Sequence, residues 1–131
     1  MELYYEKSFV KISWDEEIAC IFVEWKGFIY GEDFRTGMDK ILELARAKKA
    51  TKMLADLHKM RVTSQEDQEW LIKDWSPRAT AAGLKYTASL VPESVLAKVV
   101  FDKTIARAPG RIEQKYFGTV EDAKKWLSSV K

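Results

Sequence analysis

The sequence has a single cysteine, Cys20, and a single histidine, His58. A zinc site usually takes three or four Cys or His ligands, so this chain has no ligand set for one. The longest strictly apolar run is the six residues Ile18–Val23, far short of a membrane span. Neither sign of charge dominates: 22 basic and 20 acidic residues leave a formal net charge of +2. That balance gives no reason to expect nucleic acid or an acidic membrane as partner. Internal repeats, linkers and low-complexity stretches are also lacking. The opening residues, MELYYEKSF, are charged and aromatic rather than patterned as a signal peptide, so the expected compartment is the cytoplasm.

What is present is an ordinary globular composition, 47% hydrophobic and 32% charged, with five Trp, six Phe and five Tyr. At 131 residues the chain reads as one domain, 1–131. A chain of this size buries roughly two-thirds of its unfolded surface, so no disulfide or metal staple is needed. Cys20 lies inside the apolar run and is expected to be a buried, inert thiol.

Short β-rich segments at Leu3–Lys7 and Phe9–Trp14 precede Ile18–Trp25, a strand apolar on both parities and so buried on both faces. Glu32 and Asp33 suit the first turn of a helix whose apolar face is Phe34, Met38, Ile41, Leu42 and Ala45, closed by Arg46, Lys48 and Lys49. Met53–Leu57 is a buried strand, followed by a basic loop, His58–Thr63. Ser64 opens a second helix with Asp67 in the capping-box position. Pro77 kinks or restarts that helix and Gly83 ends it. Leu84–Val91 is a strand, and Glu93–Arg107 a helix expected to turn Val95, Leu96, Val99 and Val100 inward. Ile112–Phe117 is a strand, and Thr119 caps a last helix with Val120, Ala123, Trp126, Leu127 and Val130 on its apolar face. The order β-β-β-α-β-α-β-α-β-α predicts an α/β fold, one mixed β-sheet with helices packed on it.

Ligands of open α/β sheets bind outside the carboxyl ends of the strands. The loops expected there are Lys26–Tyr30, His58–Thr63, Pro92–Ser94 and Gly118-Thr119, with Asp56, His58, Lys59 and Arg61 as a candidate partner or ligand surface. Ser64 has two readings. As an N-cap, its oxygen accepts a backbone N–H. As a phosphoacceptor, a phosphoryl group there would meet free N–H groups and the positive end of the helix dipole, with Lys59 or Arg61 to pair with it. Asp56, His58 and Ser64 invite comparison with a hydrolase triad, but no GxSxG elbow accompanies them. The run Asp74-Trp75-Ser76-Pro77-Arg78 reads either as a kinked helix with Trp75 in the core or as an exposed aromatic and guanidinium, Trp75 and Arg78, for a protein partner.

Leu54-Ala55-Asp56-Leu57, a short loop, and then Thr63-Ser64 opening a helix resemble the STAS domain of anti-sigma-factor antagonists. VEWKGFIYGEDFRTG (Val23–Gly37), LADLHKM (Leu54–Met60), SQEDQEWLIKDWSPRA (Ser64–Ala79) and YFGTVEDAKKWL (Tyr116–Leu127) resemble its SpoIIAA-like branch of small stand-alone bacterial proteins. The resemblance covers nearly the whole chain and implies a SpoIIAA-like (STAS) single domain. In phosphoregulated members an acidic residue ends the strand and a Ser opens the helix, where a kinase modifies it. Asp56 matches the first position and Ser64, or its neighbour Thr63, the second. Those members usually read Asp-Ser-Ser-Gly at the helix start, whereas this chain reads Val62-Thr63-Ser64-Gln65-Glu66-Asp67. The fold resemblance extends to lipid-exchange domains. The leading expectation is therefore a non-enzymatic regulatory protein-interaction module, switched if at all at Ser64 or Thr63. The alternative is a carrier of an apolar small molecule or lipid, and a hydrolase comes third. No cofactor and no metal are expected, and a homodimer is plausible on general grounds.

Overall fold

The structure is a computed structural model and describes residues 1–108, 110 and 112–130. β1 (Glu2–Lys7), β2 (Val10–Asp15) and β3 (Cys20–Gly27) form an antiparallel meander. β4 (Lys52–Met60), β5 (Tyr86–Leu90) and β6 (Glu113–Phe117) extend it in parallel, so the spatial order β1-β2-β3-β4-β5-β6 is also the chain order. Each parallel step needs a crossover. The first is α1 (Gly31–Lys48), and the third is α4 (Val95–Arg107). The second is one helical segment, α2 (Gln65–Trp70) running through a π-helical turn (Leu71–Trp75) into α3 (Ser76–Ala81). Right-handed crossovers that advance in one direction all fall on the same face of the sheet. α5 (Val120–Ser129) follows the last strand and folds back across the opposite face.

Strand alternation sorts the core into those two layers. Ile21, Val23, Trp25, Met53, Ala55 and Leu57 point to the crossover helices. Cys20, Phe22, Leu54, Ala88 and Leu90 point to α5, where they meet Ala123 and Leu127. This is why Cys20–Val23 is apolar on both parities: β3 is covered on both sides, and it starts at Cys20 rather than Ile18 because the chain is still turning at Ala19, φ +52°. Burial pushes the Cys20 thiol up to about 12, so it stays protonated and inert.

The expected face of α1 is the observed one, with Phe34, Met38, Ile41, Leu42 and Ala45 all buried. Gly37 lies on the same helix because the Trp25 ring presses against it. A Cβ built there would sit 2.7 Å from Trp25 Cη2. The π-helical turn sits just before Pro77, which has no N–H to continue the ladder, and the wider turn absorbs the break.

Two expectations are corrected. The basic loop at His58–Thr63 begins later, because β4 runs on to Met60 with Lys59 and Met60 in register with Lys26 and Gly27 of β3. The neighbouring strand β3 pairs with Lys59 and Met60, past an irregularity in the ladder at Leu57 and His58. The inward face of α4 is also different. Val95, Leu96 and Val99 are exposed, Val100 is half-buried, and Ala97 and Thr104 are the buried positions. α4 is apolar on more than one side, so its sequence offers two stripes. The one that packs is chosen by Phe101, whose ring lies 6.2 Å from that of Tyr116 on β6.

Candidate functional site

Asp56, His58, Lys59 and Arg61 lie towards the carboxyl ends of the parallel strands. One oxygen of Asp56 accepts the His58 backbone N–H at 3.0 Å within β4. The His58 carbonyl accepts the Glu93 N–H at 3.0 Å, and the His58 ring reaches the Glu93 carboxylate at 3.5 Å on an exposed surface. Lys59 and Arg61 are exposed, and the Arg61 N–H donates to the Gly27 carbonyl at 3.0 Å. The His58 ring is thus partnered by Glu93, not by Asp56 or Ser64. No triad geometry links Asp56, His58 and Ser64.

Ser64 is engaged elsewhere. Its oxygen accepts the Asp67 N–H at 3.2 Å, and its hydroxyl donates back to Asp67 Oδ2 at 2.8 Å. Asp67 is 1% exposed. Its Oδ2 also accepts the Gly31 N–H at 2.9 Å, and its Oδ1 accepts from Arg35 Nε at 3.3 Å. Gly31 adopts φ +62°, a left-handed conformation open to glycine, which lets the first N–H of α1 turn to that carboxylate. One buried acid therefore closes the first turns of α1 and α2 at once. Nothing in the sequence pattern signals the α1 end of that link, because it joins residues 36 positions apart. Thr63, the other candidate acceptor, is half-buried, and its carbonyl accepts from the Gln68 side chain at 2.8 Å.

Trp75 is not part of a partner surface. It is 6% exposed, and its indole N–H donates to the Met38 carbonyl at 2.8 Å. The π-helical turn carries it inward against α1. Arg78 stays half-exposed but is held by Asp39 and Asp74, each at 2.8 Å, with its guanidinium over the Trp70 ring. Its charge is spent on tying α3 to α1.

A further feature lies inside the domain. Between the sheet and the crossover helices lies a cavity of about 140 Å³. Trp25, Phe34, Trp75 and Phe101 give it four aromatic walls, and Met38, Met53 and Met60 add three thioethers. Among the described residues, no charged side chain lines it. Thr63 and Ser76 line it from the β4–α2 loop and α3, and four further polar residues come from β5, β6 and α4. Thr87 and Ser89 lie on β5, Gln114 on β6 in register with Thr87, and Thr104 on α4. Gln114 donates to Ser89 Oγ at 2.5 Å, and the Thr104 hydroxyl donates to the Val100 carbonyl at 2.8 Å. The sequence reading passed over these residues. The available signal was Thr87 and Ser89 flanking Ala88, polar at period two in a strand otherwise read as buried.

α4 forms one side of the cavity. Asp102 accepts from Lys98 Nζ at 2.8 Å and from the Tyr116 hydroxyl at 2.6 Å. Those bonds hold the Asp102 carboxyl below its usual range, and burial together with the bond to Asp102 raises the Tyr116 phenol. Arg107 reaches Glu69 on α2 at 2.7 Å. The outer side of α4 leaves Val95 78% and Leu96 61% exposed. Among the described residues, no helix is long and apolar enough to cross a membrane.

Comparison with known proteins agrees with this architecture. A solved structure of an uncharacterised protein from Shewanella loihica with a SpoIIAA-like fold superposes with a TM-score of 0.64, covering 95% of this chain and 98% of that one at 20% identity. At that identity the likeness shows the fold. No curated protein matches. The SpoIIAA-like family model matches residues 20–128, which takes in β3 through most of α5. The chain belongs to the SpoIIAA-like family.

Proposed function

We propose that this protein acts by binding rather than by catalysis, and that it binds a small apolar molecule inside the domain. The cavity carries this reading. Well-packed interiors hold few voids larger than a water molecule, and each lost contact weakens packing. A space of about 140 Å³ walled by rings and thioethers is costly to keep empty, and binding sites are concave, mostly apolar and few per protein. The arrangement at His58 speaks the same way. Its ring pairs with Glu93 on the exposed surface rather than with Asp56 or Ser64.

Native mass spectrometry of the protein purified from its own cells tests the reading. A bound noncovalent small molecule, released on denaturation, is the expected result. A clean polypeptide mass that also stays unchanged under saturating benzene would overturn it.

A second reading, contact with a protein partner, draws on the exposed residues Val95, Leu96 and Val99. Its surface would be α4 rather than the His58–Asp67 region. A phosphorylation switch at Ser64 has less support. The Ser64 hydroxyl already donates to a buried carboxylate, and a phosphoryl group would face that negative charge at close range.

A further inference from the structure

We infer that the cavity is built for a neutral aromatic molecule of benzene to phenol size carrying one hydrogen-bonding substituent, with that substituent set against Gln114 and Ser89. The inference rests on the proposed binding function and adds the class of ligand.

Three observations fix the class. The first is size. An engineered cavity of about 150 Å³ accepts benzene, so about 140 Å³ admits a single ring and excludes a long acyl chain. The second is charge. Among the described residues no Asp, Glu, Lys, Arg or His lines the space, so an ionised head set among them would lose its hydration without a partner, and those walls favour a neutral one. The third is polarity along the cavity. The end beneath α1 is Phe34, Met38 and Ile41, where ring faces and sulfur atoms suit an aromatic guest. The end between β5, β6 and α4 carries Thr87, Ser89, Thr104 and the Gln114 carboxamide, while Thr63 and Ser76 line the space elsewhere.

Gln114 is the recognising residue. Its amide donates one N–H to Ser89, which leaves a second N–H and a carbonyl oxygen. A phenol or a small aromatic amide can give a hydrogen bond to that carbonyl oxygen or take one from the free N–H. Ser89 is fully buried on the central run of β5 and fixes the amide's orientation.

The test is a titration of the full-length protein with benzene, phenol, benzoate and dodecanoate at neutral pH, read by calorimetry, for wild type, Gln114→Leu and Ser89→Ala. Saturable binding of benzene and phenol is expected, with benzoate and dodecanoate at least tenfold weaker than phenol. Gln114→Leu should lower the phenol-to-benzene affinity ratio by about fivefold, the value of one hydrogen bond of about 1 kcal/mol. Ser89→Ala should lower the same ratio by less. An unchanged ratio in both variants, with both probes still bound, overturns the role of Gln114 and leaves the binding function standing. Tightest binding of benzoate or dodecanoate overturns the ligand class. No binding of any probe to folded wild type overturns the binding function itself.

Discussion

Ser64 and Asp67 carry opposite expectations for substitutions that look equivalent in a helix cap. Ser64→Ala removes one cap and one hydrogen bond to a carboxylate, and should cost about 1–2 kcal/mol in urea denaturation. Asp is ordinarily as good an N-cap as Ser. Here Ser64→Asp should nonetheless destabilise more than Ser64→Ala, because it sets a second carboxylate against the buried Asp67. A Ser64→Asp variant as stable as wild type at pH 7 would restore room for a phosphate. Asp67→Ala should cost more than either, about 3–5 kcal/mol, since it leaves the Gly31 N–H and the Ser64 hydroxyl without their shared acceptor. The capping box itself was legible in the sequence, because Ser and an acid three residues on are a local signal. The partners Gly31 and Arg35 were not, because only the packing of α1 beside α2 brings them there.

At the scale of elements, α4 is the segment where pattern and structure part. Leu96→Ala should change stability by less than about 0.5 kcal/mol, as an exposed position should, whereas Phe101→Ala should cost about 2–4 kcal/mol. Thermal or urea unfolding of the two variants separates the observed face from the expected one. The link from α4 to β6 adds a pH dependence with a definite sign. The Asp102 carboxyl is lowered from its ordinary 3.8, so its contribution is present above that value and is lost as pH falls below it. The Tyr116 phenol is raised above its ordinary 10.0, so its contribution is present below that value and is lost as pH rises past it. The stability difference between wild type and Asp102→Asn should therefore be flat between about pH 5 and 9 and narrow on both sides. A difference that does not change with pH would mean that Asp102 and Tyr116 are not coupled in solution. Helix α1 was legible almost to the residue, since one apolar stripe sits between clear charge signals. α4 was not, since apolar residues surround it and the choice of face belongs to Phe101 and Tyr116.

For the whole molecule, the sheet order follows from connection rules applied to the order of elements. The leading strands can meander, and each later strand needs a helical crossover. The two-layer core was likewise written in β3, apolar on both parities. The cavity was not, because a void is a shortfall of volume among many residues and no single residue marks it. Filling it offers a direct stability prediction. Ala55→Val, on the central strand β4 and facing the space, should raise the unfolding free energy by about 0.5–1 kcal/mol. A loss of more than about 1 kcal/mol would mean that the wall is already close-packed.

The decisive measurement is a benzene titration followed by NMR of methionine methyl groups. The chain has four methionines, of which Met38, Met53 and Met60 line the cavity and Met1 is exposed. The three interior methyls should shift together and saturate while Met1 stays still. Interior methyls that do not move, or four methyls that drift together without saturation, would contradict an interior binding site.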